Sequence, residues 1–88
     1  MITANYEYVP GIQKASFKLP YNINLEKLEC FFRKKHMETK INNEMLAAQT
    51  NDTYIYVSRN GYVQIHSFKK IRPLYLCKKI AGFKAGLV

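Results

Sequence analysis

Residues 44 to 68 alternate between apolar and polar side chains one by one, with breaks at Asn51-Asp52 and near Asn60-Gly61. A period of two belongs to pleated strands and not to helices. The segment therefore reads as a three-stranded meander over 44 to 49, 53 to 59 and 62 to 68. The two turns decide which residues share a face. With Asn51-Asp52 as a two-residue loop, Ala48 pairs with Ile55 and Leu46 with Val57. A two-residue loop at Asn60-Gly61 would then set Val57 against Gln64 and Ile55 against His66, mixing apolar with polar. A three-residue loop of Arg59, Asn60 and Gly61, with the glycine in the left-handed position of a bulge, pairs Val57 with Val63 and Ile55 with Ile65 instead. The bulged form is expected, although Asn-Gly usually signals the shorter turn.

One face of this meander is Leu46, Ala48, Ile55, Val57, Val63 and Ile65, suited to lie under helices. The other is Gln49, Tyr54, Tyr56, Tyr62, Gln64 and His66. Residues 2 to 9 and 12 to 19 also alternate, with Pro10-Gly11 as a tight turn between two strands. In the second of these, Ala15, Phe17 and Leu19 want a core, while Lys14, Ser16 and Lys18 would join the tyrosine face if the strand docks in the same sheet.

Two helices complete the pattern. Asn24 reads as an N-cap, Glu26 and Glu29 fall in the first turns, and Arg33 to His36 close the segment, a charge order that complements the helix dipole. With Leu25, Leu28, Phe31 and Phe32 as its apolar stripe, a helix is expected from 25 to about 37. Residues 38 to 43 read as a polar link. Pro73 suits the first turn of a second helix, with Leu74, Cys77, Ile80 and Ala81 along one face and Gly82 as a stop. The order strand, strand, helix, three strands, helix predicts an α+β fold in which both helices cover one face of an antiparallel sheet. The opposite face is left to water or a partner.

At 88 residues the chain is one domain, 1–88, and 14 Lys plus Arg against 6 Asp plus Glu give it a charge of +8. Such an excess attracts polyanions, with nucleic acid the leading partner class. Eleven of the basic residues but only three of the acidic ones fall in 31 to 88. Cys30 and Cys77 are far apart, with no CxxC pair, which fits a reduced intracellular protein of the cytoplasm or nucleus. No apolar run approaches a membrane span and no secretory leader is evident, so neither membrane association nor export is expected. There is no carboxylate pair, no nucleophile beside a base and no metal-ligand spacing. The chain is therefore not expected to be an enzyme, nor to carry a cofactor or metal.

Candidate contact residues follow from face and charge. Tyr54, Tyr56 and Tyr62 would stack on bases or line a groove, with Gln64 and His66 beside them. Lys14 and Lys18 would meet phosphates, or else guard an edge strand against aggregation. Arg33 to His36 fit a phosphate site as well, but basic residues at a helix C-terminus are common for dipole reasons alone, and that reading is favoured. Lys69, Lys70 and Arg72 precede a helix, where basic charge opposes the dipole, and are better phosphate candidates. Arg59, in the bulged turn, joins this set.

Several stretches also resemble one half of a TATA-binding protein. Ala15-Ser16-Phe17-Lys18-Leu19, followed after a short turn by Ile23-Asn24-Leu25-Glu26-Lys27-Leu28, is similar to that family's first strand and helix start. Tyr54 to Ser58, Asn60-Gly61 and Tyr62 to Ile65 are similar to its central hairpin, and Lys78-Lys79-Ile80 with Gly82-Phe83 to its closing helix. The resemblance covers roughly residues 9 to 84. It implies one half-repeat of a TATA-binding-protein-like fold: a curved antiparallel sheet whose concave face meets the DNA minor groove. DNA would then be favoured over RNA, and a homodimer would be needed to rebuild the two-half saddle. The wedge phenylalanines of that family are missing, since their places fall at Ser58 and near Asn43, which puts kinking by side-chain insertion in doubt. A single-strand or RNA binder using stacked tyrosines fits the same residues. So does an adaptor or inhibitor docking on an acidic protein through the tyrosine-rich face.

Overall fold

The computed structural model describes residues 3–9 and 11–85, the first of these stretches by its backbone alone. The elements are β1 (Thr3–Val9), β2 (Ile12–Lys18), α1 (Leu25–Lys34), β3 (Glu38–Ile41), β4 (Met45–Gln49), β5 (Thr53–Ser58), β6 (Tyr62–Ser67) and α2 (Pro73–Ala81). The six strands form one sheet in the order β1-β2-β6-β5-β4-β3, and each neighbouring pair is antiparallel. The protein is thus α+β, an antiparallel sheet with two helices. Pro10 lies outside the described residues, so of the expected Pro10-Gly11 turn only Gly11 is seen, at φ +81°.

The meander has the register that its alternation requires. Ala48 stands opposite Ile55 and Leu46 opposite Val57, and Ile55 pairs with Ile65 and Val57 with Val63. Gly61 takes φ +95°, its amide donates to the Ser58 carbonyl at 3.1 Å, and its carbonyl accepts from Leu19 N at 2.9 Å. The bulge therefore sets β5 against β6 and also ties the end of β2 to their turn. A side chain would not fit there: a Cβ on Gly61 would lie 2.5 Å from the Tyr21 carbonyl oxygen and 2.7 Å from that of Leu19.

Ala15, Phe17, Leu46, Ala48, Ile55, Val57, Val63 and Ile65 of the sheet are buried against Leu25, Leu28 and Phe32 of α1 and Cys77 and Ile80 of α2. Each large side chain so covered contributes roughly 1.5–3 kcal/mol. At the end of this face the buried Thr53 and Ser67 hydroxyls bond each other at 3.0 Å, which satisfies two polar groups that burial would otherwise penalise. Asn24 Oδ1 accepts from Lys27 N at 3.2 Å, the expected N-cap. The tail after α2 returns to the segment before α1, with Asn24 N donating to Phe83 O at 2.7 Å and the Phe31 and Phe83 rings 5.3 Å apart.

Two expectations are corrected. The polar link at 38 to 43 contains strand β3, which pairs Glu38 with Gln49 and Ile41 with Leu46. Its sequence Glu-Thr-Lys-Ile has too little apolar content to announce a strand. What recruits it is the open edge of β4 and a tie to α1, where the Thr39 hydroxyl donates to Glu29 at 3.0 Å and accepts from Arg33 Nε at 3.1 Å. Helix α1 stops at Lys34, short of residue 37, because Lys35 caps it and His36 enters the left-handed region at φ +62°. Gly82 ends α2 as expected, in a right-handed conformation, φ −65°.

Gly61→Ala should lower the stability of the protein by roughly 3 kcal/mol or more, since it adds a backbone clash to the strain of a positive φ. Gly11→Ala, with nothing within 4 Å of a new Cβ, should cost only about 1 kcal/mol. Urea unfolding of the two variants checks the ranking. Cys30 is exposed and Cys77 buried, with burial pushing the Cys77 thiol up to about 11. A disulfide-exchange reagent at neutral pH should titrate the exposed thiol at once and the second only after denaturation.

Candidate nucleic-acid interface

The sheet face away from the helices is built by the alternate residues of the core strands. Because Ala15, Phe17, Ile55, Val57, Val63 and Ile65 point into the core, their neighbours must point out. The register arranges them in rows. Lys14 stands beside His66 on β6 and His66 beside Tyr54 on β5; Tyr54 stands beside Gln49, which faces Glu38 on β3. The next row runs Ser16, Gln64, Tyr56, Ala47, Lys40, and the third Lys18 and Tyr62. Tyr62 is 43% exposed and Tyr56 36%, with Tyr54 half-buried. The Tyr56 and His66 rings meet edge to face, 6.3 Å apart at 76°. Gln49 Nε2 donates to Glu38 Oε2 at 3.2 Å.

Two exposed residues of this face escaped the sequence reading. Met45, 45% exposed, pairs with Ser58 and precedes Ala47 and Gln49 by the same alternation. Phe68, 58% exposed, continues the series Tyr62, Gln64, His66 beyond β6, and its amide still donates to the Asp52 carbonyl at 2.8 Å. The period-two pattern was sufficient to find both, had it been followed to its ends. Lys40 was out of reach, since β3 itself was not foreseen.

The structure brings together Lys14, Lys18, Tyr54, Tyr56, Tyr62, Gln64 and His66, but not the rest. Arg59 turns to the helix side: its guanidinium pairs with Glu26 of α1 at 3.0 Å and its Nε donates to the Asn43 carbonyl. Lys69, 3.7 Å from Asp52, and Lys70 line a surface groove of about 420 Å³ with Gly11, Ile12, Gln13, Ser67 and Phe68. This groove lies at the paired ends of β2 and β6, where Gln13 stands opposite Ser67. Arg72 is the N-cap of α2 and makes no side-chain bond to the helix.

Two inferences about charge change accordingly. Lys14 and Lys18 do not guard an edge, because β2 lies between β1 and β6. Nor does the open face hold most of the basic excess. Among residues 11–85 it carries Lys14, Lys18 and Lys40 against Glu38, a net +2, whereas α1 with its cap Lys35 and α2 carry Lys27, Arg33, Lys34, Lys35, Lys78 and Lys79 against Glu26 and Glu29, a net +4. Lys18 is moreover engaged, its ammonium donating to the carbonyls of Leu19 at 2.8 Å and Asn60 at 2.6 Å.

No protein-family model, curated protein or solved structure matches the chain. Among the described residues no three of His, Cys, Asp and Glu are grouped to hold a metal ion, and no helix is long and apolar enough to cross a membrane.

The Arg59 guanidinium holds the Glu26 carboxyl below its ordinary range. A carboxyl depressed on folding adds stability above its unfolded pKa and loses it as the pH falls through the folded value. Glu26→Gln should therefore flatten the acid limb of the stability curve while leaving the limb above neutrality unchanged, as measured by urea midpoints between about pH 3 and 8.

Proposed function

We propose that this chain is a small nucleic-acid-binding module that uses its open sheet face. The observation that carries this reading is the uncovered face itself, where Tyr56 and Tyr62 are exposed among amide, hydroxyl and imidazole side chains, with Lys14 and Lys40 on either flank. Exposed rings side by side on a sheet are poor neighbours for water and good platforms for bases. The general attraction comes from the +8 charge of the whole chain, which raises encounter rates with any polyanion. The likeness to half of a TATA-binding protein supports the same choice of face, since in that family the open sheet meets DNA.

A second reading, an adaptor for an acidic protein, is favoured by α2. Leu74 is 44% and Tyr75 60% exposed, Lys79 lies over the Tyr75 ring at 5.3 Å, and no acidic residue follows Asp52 in the sequence. A partner retained by the protein after nuclease treatment and lost on Leu74→Ser would favour it.

Affinity for mixed-sequence nucleic acid measured against salt tests the first reading. Lys14→Ala and Lys40→Ala should each weaken binding and flatten the log-log salt slope by about 0.7 to 0.9. Lys34→Ala and Lys35→Ala, on the helix side, should change it much less. A salt-independent signal, or equal losses from both pairs, would remove the sheet face as the site.

A further inference from the structure

We infer that the open face takes single-stranded nucleic acid, laying unpaired bases on Tyr54, Tyr56 and Tyr62. This inference rests on the reading of that face as a nucleic-acid site and narrows it to one class of strand.

Spacing comes first. Tyr54 and Tyr56 are alternate residues of β5, so their attachment points are about 6.6 Å apart along the strand. Tyr56 pairs with Gln64, which makes Tyr62, two residues away on β6, its diagonal neighbour at about 7–8 Å. Both intervals are about twice the 3.4 Å step between bases along a duplex strand. One base per ring thus requires a chain whose bases have left their stack. In a duplex the faces of the bases are hidden between their neighbours, and a ring on a flat sheet reaches only edges and backbone.

Charge points the same way. Duplex binding draws chiefly on phosphate neutralisation by many cations. Among residues 11–85 the open face has three lysines against Glu38, with Glu7 of β1 in register opposite Lys14, and Lys18 is already engaged by the carbonyls of Leu19 and Asn60. Lys14 and Lys40 remain as phosphate contacts on the flanks of the ring cluster. Two such contacts give a shallow salt dependence on a single strand, a slope of about −1.4. Three stacked bases, each worth on the order of 5- to 150-fold in affinity, outweigh them.

The polar residues between the rings complete the site. Gln64 stands beside Tyr56 and His66 beside Tyr54, so donors and acceptors lie where the free edge of an unpaired base would come to rest. In a paired base that edge is occupied. At the far end of β6 the exposed Phe68 marks where the strand leaves the sheet. The site thereby holds about three bases, with Lys14 and Lys40 as its phosphate contacts.

The test is fluorescence anisotropy with three labelled probes, oligothymidine DNA and oligouridine RNA of about 12 nucleotides and a duplex of the same length, each over a range of salt. Both single strands should bind at least about 10-fold more tightly than the duplex, with a salt slope shallower than about −2. A preference for the RNA would assign a contact to the 2′-hydroxyl, and equal binding would leave the shared bases and phosphates as the determinants; either supports the inference. Tyr56→Ala and Tyr62→Ala should each reduce single-strand affinity about 10-fold, and Tyr56→Phe and Tyr62→Phe should restore it. The chain has 7 tyrosines and no tryptophan, so quenching of its own tyrosine emission by oligouridine reports ring stacking without any substitution. Equal or tighter binding of the duplex would overturn the inference while leaving the open-face reading intact. Loss of all binding to nucleic acid, or binding indifferent to Tyr56 and Tyr62, would overturn both.

Discussion

The left-handed backbone at Gly61 is the constraint on which the rest depends. Strand pairing has a period of two, so a slip of one residue between β5 and β6 would turn every side chain of one strand to the wrong face. The bulge prevents this by placing Val57 opposite Val63 and Ile55 opposite Ile65, and the carbonyls of Leu19 and Tyr21 crowd the position too closely for any side chain. One glycine thereby commits the aliphatic residues to the helices and the rings to the outside. The core follows from the first commitment and the candidate interface from the second.

The structure separates two properties that composition merges. The net charge belongs largely to the outer surfaces of α1 and α2 and to the β6–α2 connection, while the open sheet face is aromatic, amide-rich and only mildly cationic. A distant charge acts through its field, which gathers polyanions without choosing among them and weakens with salt. A ring in contact with a base acts over a few ångströms and discriminates by what it can touch. In the proposed module, then, the charge of the whole chain would raise the encounter rate, and the sheet face would supply the contacts and the discrimination. Arg59 illustrates the division: by residue type a phosphate ligand, it is held by Glu26 and the Asn43 carbonyl and serves the packing of the turn against α1.

Most of the sheet could be read in advance because its information is local. The alternation of Thr53 to Ser58 and of Tyr62 to Ser67 allows only one pairing that keeps aliphatics together, and the N-cap at Asn24 and Pro73 at the start of α2 mark helix starts by their own chemistry. Strand β3 was not legible for the opposite reason. Glu38 to Ile41 has no pattern strong enough to stand alone, and it becomes a strand through the edge offered by β4 and the hydrogen bonds of Thr39 to Glu29 and Arg33. The same gap hid Lys40, which only the pairing of β3 places on the open face.

Periodicity, turn chemistry and capping residues thus determined the class of fold, the register of the meander and the composition of each face, because all of these act between residues close along the chain. Tertiary structure alone decided the position of β2 inside the sheet, the recruitment of β3, the turning of Arg59 toward α1 and the location of the positive charge. These depend on contacts between residues far apart in sequence, such as Arg59 with Glu26 and the end of β2 with the Gly61 bulge. No local pattern encodes them, since each is chosen only when the collapsed chain brings competing partners within reach.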